Sequence, residues 1–271
     1  MKSILLHVQD DDSLDQRLQT ALSLARATEG HLSCVHVTPT EAYVALDTFG
    51  GVFVMQDVMS ALEDHESGLR RRLEDHLQKE DVSWDYEQVT GGISSNIIWR
   101  AALADVIVTG REYHHLSQPV APVSLLGDLL HRSRTPLIIP SYDGKLIDPN
   151  GPAMIAWDGS YEAANAVRGA LGLLRLSSKV EIVQIEEAPQ RAFPSTRLLE
   201  YLSRQAIHAH LRVVTAEKDM VPQILESCAE KTGASYLVMG GYSRSRIGEY
   251  LLGGVTRSLL KKSSINLLIA H

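Results

Sequence analysis

The stretch YLVMGGYSRSRIGEYLLGGVTRSLLKKSSINLLIAH, Tyr236 to His271, decides how this chain is read. Its opening run, Tyr236 to Met239, has the short apolar character of a buried strand. Gly240 and Gly241 follow, then a polar turn. Gly253 and Gly254 open a helical segment, and the apolar run Ile265 to Ala270 closes the chain. Strand, glycine, loop, glycine, helix is an arrangement by which an α/β fold holds a phosphate: glycines let the backbone approach, and free N–H groups at a helix start favour an anion. Arg244, Arg246, Arg257, Lys261 and Lys262 surround the loop, and Glu249 is the only acid from Gly240 to Lys262. A plain strand-to-helix connection with a solvated charged face accounts for the same glycines, so the rest of the chain has to decide.

The chain has 271 residues, 44% hydrophobic and 22% charged, a composition suited to one large or two ordinary globular domains. A net charge of -7 argues against nucleic acid as the main partner. No apolar run reaches the roughly 20 residues needed to span a bilayer. Lys2 leads straight into a strand-like run without the pattern of a secretion signal. Cys34 and Cys228 stand far apart in apolar contexts. A reduced, cytoplasmic protein without a membrane partner is expected, with both cysteines as buried fillers.

Strand and helix patterns alternate along the whole length, which implies parallel sheet covered on both faces. Ser3 to Val8, Leu32 to Val37, Trp84 to Val89, Asp105 to Thr109 and Leu137 to Pro140 read as strands. Leu14 to Thr28, Val58 to Lys79, Ser95 to Ala104 and Leu125 to Arg132 read as helices. An irregular piece from Thr38 to about Gln56 interrupts the series. After the turn-rich SYDGKLIDPNGP, Ser141 to Pro152, the series repeats. Asp10 and Asp158 are 148 apart, as are Val37 and Ile185; Gly110 and Gly240 are 130 apart, as are Pro136 and Asn266. Constant offsets with one compact deletion indicate duplication of a domain-sized unit, with units expected at 1–141 and 152–271.

The residues Ile155-Ala156-Trp157-Asp158-Gly159-Ser160, the strand Val180 to Ile185 and the glycine stretch together resemble a universal stress protein domain, present here as two tandem copies. The resemblance implies a five-stranded parallel sheet of order 3-2-1-4-5 in each copy, with ligands at the carboxyl ends of the strands where the order reverses. It also implies ATP or a related nucleotide, with magnesium, as ligand of the second copy. Asp158 would meet the nucleoside, and the backbone at Ile185 would read the base. Met239 and Gly240 match the first part of the family's glycine motif; Gly240 and the N–H groups of Gly253, Gly254 and Val255 would hold the phosphates, with Arg244 or Arg246 adding charge. Ser243 stands where the family pattern has a second glycine, and Gly254 where it has Ser or Thr. Both departures keep open the alternative of an inherited loop that binds nothing.

In the first copy the same spacing gives Gly110, Tyr113, Val123 and Ser124, and Pro119 and Pro122 remove N–H donors. That copy is expected not to bind ATP, although Asp10 could hold a local turn. The resemblance further implies pairing of the two copies through their last strands as an intramolecular pseudo-dimer, a homodimer being the other assembly left open. No nucleophile or acid–base constellation assembles, so a regulatory role with at most slow hydrolysis is expected. His114, His115 and His131 lack metal-ligand spacing. The apolar segment Ala42 to Met55 could cover the first cleft, line a pocket or meet a partner protein; in this alternative the chain is a nucleotide-free interaction module.

Overall fold

The apolar runs pair into one sheet. The computed structural model describes residues 1–39, 52–111, 125–186, 193–215, 220–241 and 254–271. The first half comprises β1 (Ser3–Val8), α1 (Leu14–Thr28), β2 (His31–Thr38), α2 (Val52–Leu77), β3 (Ser83–Thr90), α3 (Ile93–Arg100), β4 (Val106–Val108), α4 (Leu125–Arg132) and β5 (Leu137–Ile139). The second comprises β6 (Ala153–Trp157), α5 (Tyr161–Leu174), β7 (Val180–Glu186), α6 (Ser195–Arg204), β8 (Ala209–Thr215), α7 (Val221–Thr232), β9 (Tyr236–Gly240), α8 (Gly254–Lys262) and β10 (Asn266–Ala270).

The ten strands form a single sheet in the order β3-β2-β1-β4-β5-β10-β9-β6-β7-β8. Read outward from the middle, each half gives its fifth, fourth, first, second and third strand. All pairings are parallel except the central one, where β5 and β10 run antiparallel with Ile139 against Leu267, Ile138 against Leu268 and Leu137 against Ile269. Successive side chains of a strand point to opposite faces. Ile4, Leu6 and Val8 accordingly join one core with helices α1, α2, α5 and α6, while Leu5 joins a second core with α3, α4, α7 and α8. Each core crosses the seam without a break.

Arg111 reinforces the seam. It lies just beyond β4, and its guanidinium donates to the carbonyls of Pro140 (2.7 Å), Leu259 (2.8 Å), Leu260 (3.0 Å) and Ile265 (3.1 Å). Leu259 and Leu260 lie in the last turn of α8, whose carbonyls have no partner within the helix. A first-half arginine therefore caps a second-half helix and adds positive charge at its negative end. Burial lowers the Arg111 pKa to about 10, so the group stays charged at neutral pH. The segment from Ser141 to Pro152 is also fastened: Tyr142 N–H donates to Ser263 O, Asp148 N–H to Ser235 Oγ, and Ile147 is buried. It is a packed strap and not a free tether.

Two expectations need correction. Helix α2 starts at Val52, six residues before Val58, so Val52 to Met55 belong to a helix and not to an irregular piece. The rest of the Ala42 to Met55 segment lies outside the described residues. The strand register also shifts one of the repeat offsets. Ile4 pairs with Leu32 and Val106, while Ala153 pairs with Val180 and Tyr236. The first strands are thus offset by 149 (153 minus 4), the second by 148 and the fourth by 130. Gln9, not Asp10, stands at the strand position of Asp158.

Replacing Arg111 by methionine should cost about 2–4 kcal/mol in urea unfolding, because it leaves four carbonyls without their shared donor. Arg111→Lys should recover part of the loss.

Candidate functional site

The switch point of the second half lies between β6 and β9, neighbours whose connections leave toward opposite faces of the sheet. At the end of β6 the chain turns through Asp158-Gly159-Ser160. Asp158 Oδ1 accepts the Ser160 N–H at 3.0 Å, Gly159 takes φ +73°, and Ser160 Oγ accepts the Ala163 N–H at 3.1 Å as the N-cap of α5. The sequence dictates each step: an aspartate to close the turn, a glycine to enter left-handed space and a serine to cap. Asp158 is exposed, and among the described residues that turn bond is its only hydrogen bond.

Gly240 ends β9 directly under the first turn of α5. A Cβ there would lie 2.5 Å from the Ala163 nitrogen and 2.8 Å from the Glu162 carbonyl carbon, so this glycine is needed for close strand–helix packing whatever the site binds. Met239 is buried in the second core, and Ile185 is half-buried against the same core. Gly254 opens α8 with no described atom within 4 Å of where a Cβ would stand, and the helix has no acid in its first turn; Val255 packs on the second core. The described positions Asp158, Ile185, Met239, Gly240, Gly254 and Val255 come from the ends of β6, β7 and β9 and the start of α8. Ser243, Arg244 and Gly253 lie outside the described residues, as do His114, His115, Tyr113 and Val123.

The first half treats the corresponding turn differently. Helix α1 begins later relative to its strand, and the space beside Gly110 is taken by the side chain of Arg17, which is 1% exposed. Arg17 pairs with Asp11 at 2.8 Å, bonds Ser13 Oγ and donates to Gln9 O at 2.8 Å. Asp11, not Asp10, accepts the Ser13 N–H and holds the turn. Asp10 instead faces Arg72 (2.9 Å) and His65 (3.0 Å). Both carboxylates are engaged, because the extra turn residues swing Asp10 toward α2 and bring Asp11 over the guanidinium. The signal for Arg17 was present in the sequence: it lies on the Leu14, Leu18, Ala21 stripe of α1, where an arginine must be buried.

Burial and the neighbouring Arg17 lower the pKa of His7 to about 3, and His7 Nδ1 lies 3.3 Å from Thr109 Oγ1. Burial likewise lowers that of His36. Burial pushes the Cys34 thiol up to about 12, which makes it an inert core group. Among the described residues no three His, Cys, Asp or Glu side chains are grouped to hold a metal ion, and no helix is long and apolar enough to cross a membrane.

Residues 150–271 match the Universal stress protein family. A universal stress protein from Archaeoglobus fulgidus is similar in structure over 99% of this chain and 96% of its own, with a TM-score of 0.71 at 14% identity. A functionally unknown protein from Pseudomonas aeruginosa is similar over 100% and 92%, with a TM-score of 0.57 at 16% identity. At these identities the likeness shows the fold, and it extends over both halves. No curated protein matches in sequence.

Gly240→Ala should destabilise by about 1–3 kcal/mol in urea unfolding through overlap with α5, whereas Gly254→Ala should be neutral or stabilise by up to ~1 kcal/mol. A pH series supplies a further test. Lowered folded-state values for His7 and His36 mean that the unfolded chain binds more protons below the ordinary histidine value of 6.5. Stability should therefore fall as pH drops through that value toward 3. Between pH 7 and pH 5, His7 alone should account for about 2 kcal/mol of the loss, and His7→Gln should flatten the profile accordingly.

Proposed function

We propose that the second half binds ATP or a related nucleotide at the carboxyl ends of β6, β7 and β9, in a regulatory role in the stress response, and that the first half is a non-binding scaffold. In this reading the chain comprises two units, 1–141 and 152–271. The observation that carries it is the contrast between the turn carboxylates. Among the described residues Asp158 is exposed with one hydrogen bond, while Asp10 and Asp11 are tied to Arg72, His65 and Arg17.

Asp158 would accept hydrogen bonds from sugar hydroxyls through its remaining lone pairs. The backbone at Ile185 would meet the base edge. The first-turn N–H groups of α8, from Gly254 and Val255, would face the phosphates, where the helix dipole favours negative charge. Gly240 would set the depth of the cleft by holding β9 against α5, with Met239 beneath it. Ser243, Arg244 and Gly253 would complete the phosphate loop. A magnesium ion would enter with the phosphates and offset their charge. Cytoplasmic location follows as part of the same proposal. A nucleotide-free interaction protein is the second reading; the observation favouring it is the exposure of Trp99 and Leu103, 75% and 92%, at the end of α3 and just beyond it.

Calorimetric titration with ATP and magnesium, after a check for carried-over nucleotide, tests the choice. One site per chain is expected. Asp158→Ala should weaken it about tenfold or more, in keeping with a lost hydrogen bond to a charged group, and Asp11→Ala should leave it unchanged. Wild-type affinity in Asp158→Ala would overturn the site, and no binding by a nucleotide-free preparation would favour the interaction protein.

A further inference from the structure

We propose that Tyr161 and Phe193 form an aromatic lip that stacks against the planar base of the ligand; the inference rests on the nucleotide reading above. Tyr161 is the first residue of α5, immediately after the capping Ser160, and Phe193 leads into α6. Their rings meet edge to face, with centroids 5.4 Å apart and planes at 83°. They are 72% and 47% exposed, and neither belongs to either core.

The pair is fixed to the turn that carries Asp158. The Phe193 N–H donates to Gly159 O at 3.0 Å, and Trp157 Nε1–H donates to Phe193 O at 3.2 Å. The backbone bearing one ring is thus tied on both sides of Asp158, and the other ring stands three residues beyond it. The first half places Leu14 at the start of α1, directly after Ser13, and buries it. An outward ring at the helix start is therefore not required to build this strand–turn–helix unit. Large apolar rings held in water beside an available carboxylate suit a ligand with a flat π-face joined to a hydroxyl-bearing part, which is the chemistry of a nucleoside. Aromatic faces stack on any base, so the lip would add affinity while leaving base identity to other contacts.

The test is titration of the full chain with two probes, ATP with magnesium and inorganic tripolyphosphate with magnesium, the second having no base. Tyr161→Ala and Phe193→Ala should each weaken ATP binding about tenfold while tripolyphosphate binding stays the same, and Tyr161→Phe should keep ATP affinity within about twofold of wild type. ATP binding by wild type that both alanine variants retain in full would overturn the lip and leave the nucleotide site standing. Equal loss of both probes would also overturn it, since that pattern reports damage to the turn. Failure of the wild type to bind either probe would overturn the nucleotide reading and the lip with it.

Discussion

The pairing of β5 with β10 is the contact on which the architecture depends. Three residues from each strand meet there, all of them fully buried, and both cores run across them. Antiparallel pairing of the two fifth strands turns one half over onto the other by an approximate two-fold axis at Ile138 and Leu268. The remaining strands then follow from the parallel ladders. Other groups serve the same junction. Asn266, fully buried, accepts from Ser141 N–H and donates to Ser235 O. Gly169 of α5 packs so closely on Pro136 that a Cβ would come within 2.4 Å of its ring. With Arg111 capping α8 across the seam, the halves share one interior, and loosening either would expose apolar surface in both.

The axis relates backbones more closely than side chains. Position 111 holds an arginine in the first half, and the corresponding position in the second is Gly241, whose added Cβ would lie 3.1 Å from Ile269. At the turn after the first strand, one half carries a buried arginine paired with a half-buried aspartate and the other an exposed aspartate. The cores of the two halves are alike because packing constrains them, and the strand ends are free to differ.

Much of the fold was legible in the sequence because buried parallel strands announce themselves as short apolar runs such as Tyr236 to Met239 and Leu137 to Ile139. The offset of 130 at the fourth strand matches the ladder, since Val106 and Tyr236 occupy the same place beside their first strands. The offset at the first strand slipped by one because two aspartates at the turn were equated by type, while the ladder counts backbone positions. The early start of α2 escaped because Phe53-Val54-Met55 lacks a polar face over so short a window, which leaves periodicity ambiguous. At the candidate site, the turn Asp158-Gly159-Ser160 was readable from its turn chemistry. The role of Gly240 was not: a glycine that accommodates a neighbouring helix and one that accommodates a phosphate look the same in one dimension. Arg17 and Arg111 escaped for a related reason. A long side chain is judged solvated by type; the apolar stripe of α1 marks the Arg17 position as buried, but only packing shows which carbonyls and carboxylate enclose the two head groups.

Joining the two units in one chain also bears on how such a protein would respond to a ligand. In a dimer of identical subunits a substitution such as an arginine beneath the turn appears twice and alters both clefts. In the covalent pair it alters one. Under the proposed reading, with one binding cleft per chain, there is no second equivalent site to couple to, so occupancy would follow a simple hyperbola in ligand concentration, with a Hill slope of one.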